Sequence, residues 1–155
     1  MTSRIGSLLV VPLLGLLATL AAAAAGPTVE QAWARATPPG VDVGAVYLTI
    51  IGGSTDDRLT SAATTRASMV HLHTVEESGG VAKMRAIEGI AVPAGKRVVL
   101  APKGTHIMLM GLGRALVPGE KFPLTVRFEK AGERTVDVVV RPAGADGPTA
   151  SAAVR

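Results

Sequence analysis

Short runs in which apolar and polar residues alternate recur along the chain, and most end at glycine, proline or charged residues. A period of two residues is typical of β-strands with one buried face, and such runs at intervals of about 8–12 residues are typical of antiparallel sandwiches and barrels. We therefore predict a single-domain, all-β antiparallel sandwich of about six to eight strands, with no helix of ordinary length. Residues 28–37 (TVEQAWARAT) fit either a strand or a helix. The predicted strands are residues 46–51, 68–75, 81–87, 96–100, 105–110, 122–129 and 135–140.

The first 25 residues differ from the rest of the chain. Arg4 is followed by a long apolar run rich in leucine and alanine, which ends in a series of alanines before Gly26. A basic start, an apolar centre and a small-residue end are typical of a secretory signal peptide. The run is also about as long as a bilayer requires, so a retained transmembrane anchor is the alternative. We predict cleavage near Ala25, export to the periplasm, and a β-sandwich domain over residues 26–140.

Composition narrows the possible functions. The sequence contains no cysteine, so disulfides, zinc–thiolate sites, thiolate nucleophiles and a lipid anchor on cysteine are excluded. After loss of the signal peptide, 15 basic and 12 acidic residues remain, scattered along a chain with only four aromatic residues. Basic runs and stacking platforms for nucleic acid are therefore missing, and we expect no nucleic-acid partner. Residues 141–155 are rich in proline, glycine and alanine, which predicts a disordered tail.

All three histidines and four of the five methionines lie in the stretch 69–110. Because side chains alternate between the two faces of a strand, residues two apart share a face. Strand parity predicts one shared face for Met69, His71 and His73, and one for His106, Met108 and Met110.

A predicted hairpin indicates where the remaining methionine, Met84, lies. If the glycines at 79–80 are the two central turn residues, Val75 faces Met84 and His73 faces Ala86. Met84 then lies diagonally beside His73 on the same face of the hairpin.

Imidazole nitrogens and thioether sulfurs are neutral ligands that suit Cu(I). Zinc is more often bound by thiolate or carboxylate beside its histidines, and calcium and magnesium prefer oxygen. Two imidazoles and two thioethers brought together therefore predict a Cu(I) site.

The spacing of four of these residues resembles a known motif. Ten residues separate His73 from Met84, 21 separate Met84 from His106, and one separates His106 from Met108. This pattern is similar to that of the periplasmic copper chaperone family PCu(A)C. The resemblance extends to the segments AWARATPPG, GAVYLTI, KMRAI, HIMLMGL and FEKAG, so it covers nearly the whole chain after the signal peptide.

The resemblance implies a cupredoxin-like or immunoglobulin-like β-sandwich that binds one Cu(I) through His73, Met84, His106 and Met108. It also implies a carrier that delivers copper to the dinuclear copper site of cytochrome c oxidase, so the expected partners are the oxidase subunit II or a Sco-type protein. Some members carry a C-terminal tail rich in histidine and methionine that is associated with Cu(II). Residues 141–155 contain neither residue type, so no tail site is expected here.

Three candidates fall outside the motif. We interpret His71 as a solvated neighbour of the site, and Met69 and Met110 as a hydrophobic rim or a partner-facing surface. Two other functions stay open at this point: a copper-dependent oxidoreductase, which needs an open coordination position and a substrate pocket, and a metal-free protein-binding β-sandwich. No catalytic triad or carboxylate pair is visible in the sequence, so we expect a protein that is not an enzyme.

Overall fold

The computed structural model describes residues 25–148, so nearly all of the predicted signal peptide lies outside the described residues. Ten strands and no helix form in this part of the chain, and accordingly none of its segments is a helix able to cross a membrane. The strands are β1 (Thr28–Arg35), β2 (Val43–Ile51), β3 (Asp57–Ala63), β4 (Ala67–Ser78), β5 (Val81–Ala86), β6 (Ile90–Val92), β7 (Arg97–Val99), β8 (His106–Leu112), β9 (Lys121–Phe128) and β10 (Gly132–Arg141).

The strands form one continuous sheet in the order β5-β4-β8-β2-β1-β10-β9-β3-β6, and β7 pairs with one end of β2. The sheet folds over on itself, so that β3 near one end of this order contacts β4 near the other. The predicted single-domain, all-β sandwich is thereby confirmed. One strand pair differs from the purely antiparallel prediction, because β1 and β10 run parallel. These strands come from opposite ends of the domain, where no turn between them dictates an antiparallel pairing.

The core lies between the two halves of the folded sheet. Strand β9 shows how the sequence produces it: Phe122, Leu124, Val126 and Phe128 are buried, whereas the lysine, proline and arginine residues that alternate with them are exposed. The alternating burial follows from the two-residue period of a strand. Each such apolar side chain contributes about 1.5–3 kcal/mol when it is fully withdrawn from water.

Two strands were not predicted, β3 and β6. Strand β3 has the sequence DRLTSAA, which lacks the bulky β-branched and aromatic residues that favour strands. It forms because it is hydrogen-bonded on both sides, to β9 and to β6. The ambiguous segment 28–37 contains strand β1 and no helix.

A bulge in β1 sets the position of two aromatic rings. Gln31 has a φ of 53°, and the register of β1 against β2 shifts between Glu30 and Trp33. The shift places Trp33 opposite Tyr47, with ring centroids 4.7 Å apart. Both rings are buried, but they lie on the outer face of the sheet, because Val46 beside Tyr47 points into the core.

The described part of the predicted tail lies against β1. Strand β10 ends at Arg141, which pairs with Arg35. The Nε of Arg35 donates a hydrogen bond of 2.8 Å to the carbonyl oxygen of Ala145, and its guanidinium forms a 2.8 Å ion pair with Asp146. Residues 146–148 line one small pocket together with Trp33, and the rest of the tail lies outside the described residues.

Candidate metal centre

The hairpin of β4 and β5 has the predicted register. His73 lies opposite Ala86 and Val75 lies opposite Met84. The turn at 79–80 consists of two glycines with φ of 60° and 77°, the left-handed backbone that a two-residue hairpin turn requires. Met84 is consequently diagonal to His73 on one face of the hairpin.

Strand β8, the other neighbour of β4 in the sheet, brings the second histidine onto the same face. In the antiparallel pair of β4 and β8, His73 lies directly opposite His106 and His71 lies opposite Met108. The ring centroids of His73 and His106 are 5.9 Å apart. The sequence predicted a shared face within each strand, and the structure shows that adjacent strands make these one common face.

Three of the four motif residues line one open pocket of about 360 Å³. They are Met84, His106 and Met108, which come from the two strands that flank β4. The fourth, His73, does not line this pocket, but its ring lies beside that of His106, which does. The other pocket residues are mainly apolar or small, with two cations among them: Arg35, Thr37, Val43, Gly44, Ala45, Tyr47, Val75 and Lys103.

The ring of His106 is held in one orientation. Its side chain is 5% exposed, and its Nδ1 lies 2.9 Å from the carbonyl oxygen of Gly104. A carbonyl can only accept, so Nδ1 carries the proton and donates this bond. Nε2 is then the nitrogen with a free lone pair, as in histidines that bind metals.

The imidazole of His73 differs from that of His106 in its surroundings. Its Nδ1 is buried and has no hydrogen-bond partner. Burial lowers the pKa of His73, and the nearby imidazoles of His106 and His71 lower it further because two positive charges would repel. A neutral imidazole with an unpaired nitrogen is the form in which histidine binds a metal.

The four motif residues differ widely in exposure. Met84 is 53% exposed, His106 is 5% exposed, and His73 and Met108 are intermediate. The pocket therefore has one anchored histidine at its inner side and one accessible thioether at its outer side.

Two contacts of His106 could not be predicted from the sequence. The ring of Tyr47 packs 6.3 Å from that of His106, and the Gly104 carbonyl fixes the tautomer of His106. Neither residue type is a distinctive signal by itself. Within residues 25–148, no three side chains of histidine, cysteine, aspartate or glutamate form a metal-binding group.

The chain is similar in sequence to a known family and to one of its relatives. Residues 27–140 match the family described as LpqE-like lipoproteins. A protein of Leifsonia xyli subsp. xyli (strain CTCB07) named as a lipoprotein, Lxx21020, is 37% identical over 119 residues, which are 75% of this chain and 70% of the relative.

Two solved structures are similar in sequence and in fold. The copper-bound PCuAC domain of PmoF2 is 26% identical, with a TM-score of 0.65 over 77% of this chain and 96% of that domain. The solution structure of Cu(I)-bound DR1885 from Deinococcus radiodurans is 32% identical, with a TM-score of 0.56 over 75% of each chain.

Proposed function

The chain belongs to the LpqE-like lipoprotein family, and on that premise we propose that it is an exported copper chaperone. It binds one Cu(I) through His73, Met84, His106 and Met108 and passes the ion to an acceptor protein. Copper is the cargo of this protein and not a resident cofactor.

One observation carries this proposal: the register of β5, β4 and β8 puts all four side chains on one face of the sheet, where three line one pocket and His73 lies beside His106. His73 is opposite His106, Met84 is diagonal to His73, and Met108 is two residues from His106 along the same face. Directly opposed residues have Cβ atoms about 4.5–5.5 Å apart, and diagonal neighbours remain within reach of long side chains. Four ligands can therefore converge on one ion.

The donor set fits reduced copper in charge and softness. Two neutral imidazoles and two thioethers bring no negative charge to the ion, which favours a monovalent soft cation over zinc, calcium or magnesium. The copper-bound similar domains support this choice of metal. The protonated Nδ1 of His106 leaves Nε2 for the ion, and the unpaired Nδ1 of His73 gains a partner.

The gradient of exposure predicts the order of transfer. An acceptor thiolate or imidazole reaches Met84 first, because half of that side chain lies in solvent. Its thioether is released as the new bond forms, and Met108 follows. The buried His106 leaves last, so the ion stays bound to at least one protein at every step.

The acceptor that we propose is the dinuclear copper site of cytochrome c oxidase, reached on the oxidase subunit II or through a Sco-type protein. Transfer of an ion needs no bond to be made or broken in an organic substrate, and the protein is accordingly a carrier and not an enzyme. The names of its relatives describe lipoproteins and copper-binding domains.

The same relatives support an exported location for this protein. A lipoprotein is exported, and the apolar N-terminal segment of this chain fits a cleaved signal peptide. The family is named for lipoproteins, whose lipid is carried by a cysteine, but this sequence contains no cysteine. We propose a form released into the periplasm after cleavage near Ala25.

An anaerobic titration of Cu(I) against a chromophoric chelator tests the function. The wild-type protein should take copper from the chelator, and a Met84→Ala, Met108→Ala double variant should compete much more weakly. Equal, weak competition by both proteins would overturn the chaperone proposal. The Val81→Ala variant is the control, because Val81 is equally exposed on the same strand as Met84 but lies outside the pocket.

A further inference from the structure

A second set of soft ligands lies on the same face of the sheet, beyond the proposed copper centre. Met69 on β4 is directly opposite Met110 on β8, and His71 lies between this methionine pair and the His73–His106 pair. None of the three belongs to the four-residue motif. The same in-register pairing that forms the first site therefore places one imidazole and two thioethers side by side one step further along the ladder.

This set is open to solvent for a structural reason. Strand β5 ends at Ala86, opposite His73, and the chain leaves β4 after the backbone N–H of Ile87 bonds to Leu72. Beyond that point, within residues 25–148, no strand is hydrogen-bonded to β4 on the β5 side, although Thr60 and Ser61 of β3 line a small pocket with His71. Met69 is 52% exposed and His71 is also exposed, although an apolar side chain such as Met69 would normally be buried.

The surroundings leave the ligands free. Val43 of β2 lies opposite Met110, so the flank on that side is apolar. On the other side, His71 lines a small pocket with Thr60 and Ser61, and no hydrogen bond in the described part of the chain holds its imidazole. The His71 ring has one described ring contact, with the nearly perpendicular ring of His73 at a centroid distance of 6.2 Å.

We propose that Met69, His71 and Met110 form a second, surface Cu(I) site. Two thioethers and one imidazole give a neutral, three-coordinate set of the kind that suits soft monovalent copper. The spacing allows it, because Met69 and Met110 are a directly opposed pair and His71 is a diagonal neighbour of Met110, within reach of flexible methionine side chains.

The second site has a direct path to the first. His71 lies opposite Met108, which belongs to the first ligand set, so the two sites adjoin through one strand pair. A copper ion can move from the exposed site to the pocket by exchange of one ligand at a time. This entry role rests on the proposed function, but the binding of a second ion does not.

Methyl NMR of the protein labelled with [¹³C-methyl]methionine tests the second site under anaerobic conditions. Single Met→Leu variants assign the four methyl signals from the domain. We expect the signals of Met84 and Met108 to move with the first equivalent of Cu(I), and those of Met69 and Met110 to move with the second. Signals of Met69 and Met110 that stay in place up to three equivalents would overturn the second site, and so would movement of all four signals together with the first equivalent.

Two double variants separate this inference from the proposed function. A Met69→Leu, Met110→Leu variant should lose the second equivalent and keep the first, while a Met84→Leu, Met108→Leu variant should lose the first and keep binding at Met69 and Met110. Leucine preserves the apolar volume, so the fold is retained. If the second variant binds as the wild type does, the proposed function fails and the surface site stands. If the first variant still binds two equivalents, the surface site fails and the proposed function stands.

Discussion

His73 and His106 lie directly opposite each other in the antiparallel pair of β4 and β8, with their rings 5.9 Å apart. Strands β4 and β8 are far apart in the sequence, but their register makes the two histidines direct cross-strand partners. An offset of one residue would place one ring in the core and leave the other outside. The register of this strand pair is therefore the feature on which a joint ligand set depends.

The first prediction concerns the exposed thioether. Replacement of Met84 by leucine should weaken Cu(I) binding by at least ~10-fold, or about 1.4 kcal/mol, because one sulfur ligand is lost. The free energy of unfolding should change by less than about 0.5 kcal/mol, since Met84 is half exposed. Chelator competition and thermal unfolding measure the two quantities. A Val81→Leu variant on the same strand should leave both unchanged.

The second prediction concerns the tautomer of His106. Nitrogen-15 NMR of the apo protein should show a protonated Nδ1 and an unprotonated Nε2, because Nδ1 donates to the Gly104 carbonyl oxygen. Addition of Cu(I) should shift the Nε2 resonance and leave Nδ1 protonated. A shift of Nδ1 with loss of its proton would contradict this assignment and would require the loop before β8 to rearrange.

The third prediction concerns the hairpin turn. Gly79→Ala and Gly80→Ala should each destabilise the fold by roughly 1–2 kcal/mol, because alanine is strained in a left-handed backbone. An added Cβ meets no atom within 4 Å at either position, so the backbone conformation alone is tested. Gly113 offers a matched control, since it also has open space around it and does not have a positive φ. Chemical denaturation should find Gly113→Ala close to wild type, and an equal loss in all three variants would show that the turn conformation is not responsible.

The fourth prediction concerns pH and Asp57. Desolvation acts to raise the pKa of this carboxyl, but hydrogen bonds from the backbone N–H groups of Lys130, Arg58 and Ala131 outweigh it, and the pKa lies below its ordinary value. A lowered folded-state pKa stabilises the protein above the unfolded-state pKa, and this contribution disappears as the pH falls through the folded-state value.

Comparison with Asp57→Asn isolates that contribution. The melting temperature of the wild type should exceed that of Asp57→Asn near pH 7, and the difference should shrink as the pH falls below about 4. An Asp56→Asn variant tests specificity, because that neighbouring carboxylate accepts a single backbone hydrogen bond, from Ala94. A wild-type advantage that stays constant down to pH 2 would contradict the role of the Asp57 charge.

The sequence predicts local relationships well. The opposition of Val75 and Met84 follows from the two glycines of the turn, because a two-residue turn fixes the register of its hairpin. Alternation likewise predicts that His106 and Met108 share a face. These relationships depend on residues near one another in the chain.

Long-range relationships were not predictable in the same way. No turn connects β4 to β8, so the opposition of His73 and His106 is set by packing of the core residues behind them, Leu72 and Ile107. The bulge at Gln31 that brings Trp33 beside Tyr47 also has no signal in the sequence. In both cases the tertiary structure selects an alignment that the local sequence permits but does not specify.

X-ray absorption spectroscopy at the copper edge, on protein loaded anaerobically with half an equivalent of Cu(I), identifies the atoms that bind the ion. Substoichiometric loading keeps copper in the tighter site, which we assign to His73, Met84, His106 and Met108. We expect Cu(I) with two nitrogen and two sulfur neighbours. A spectrum without sulfur neighbours would contradict the proposed ligand set.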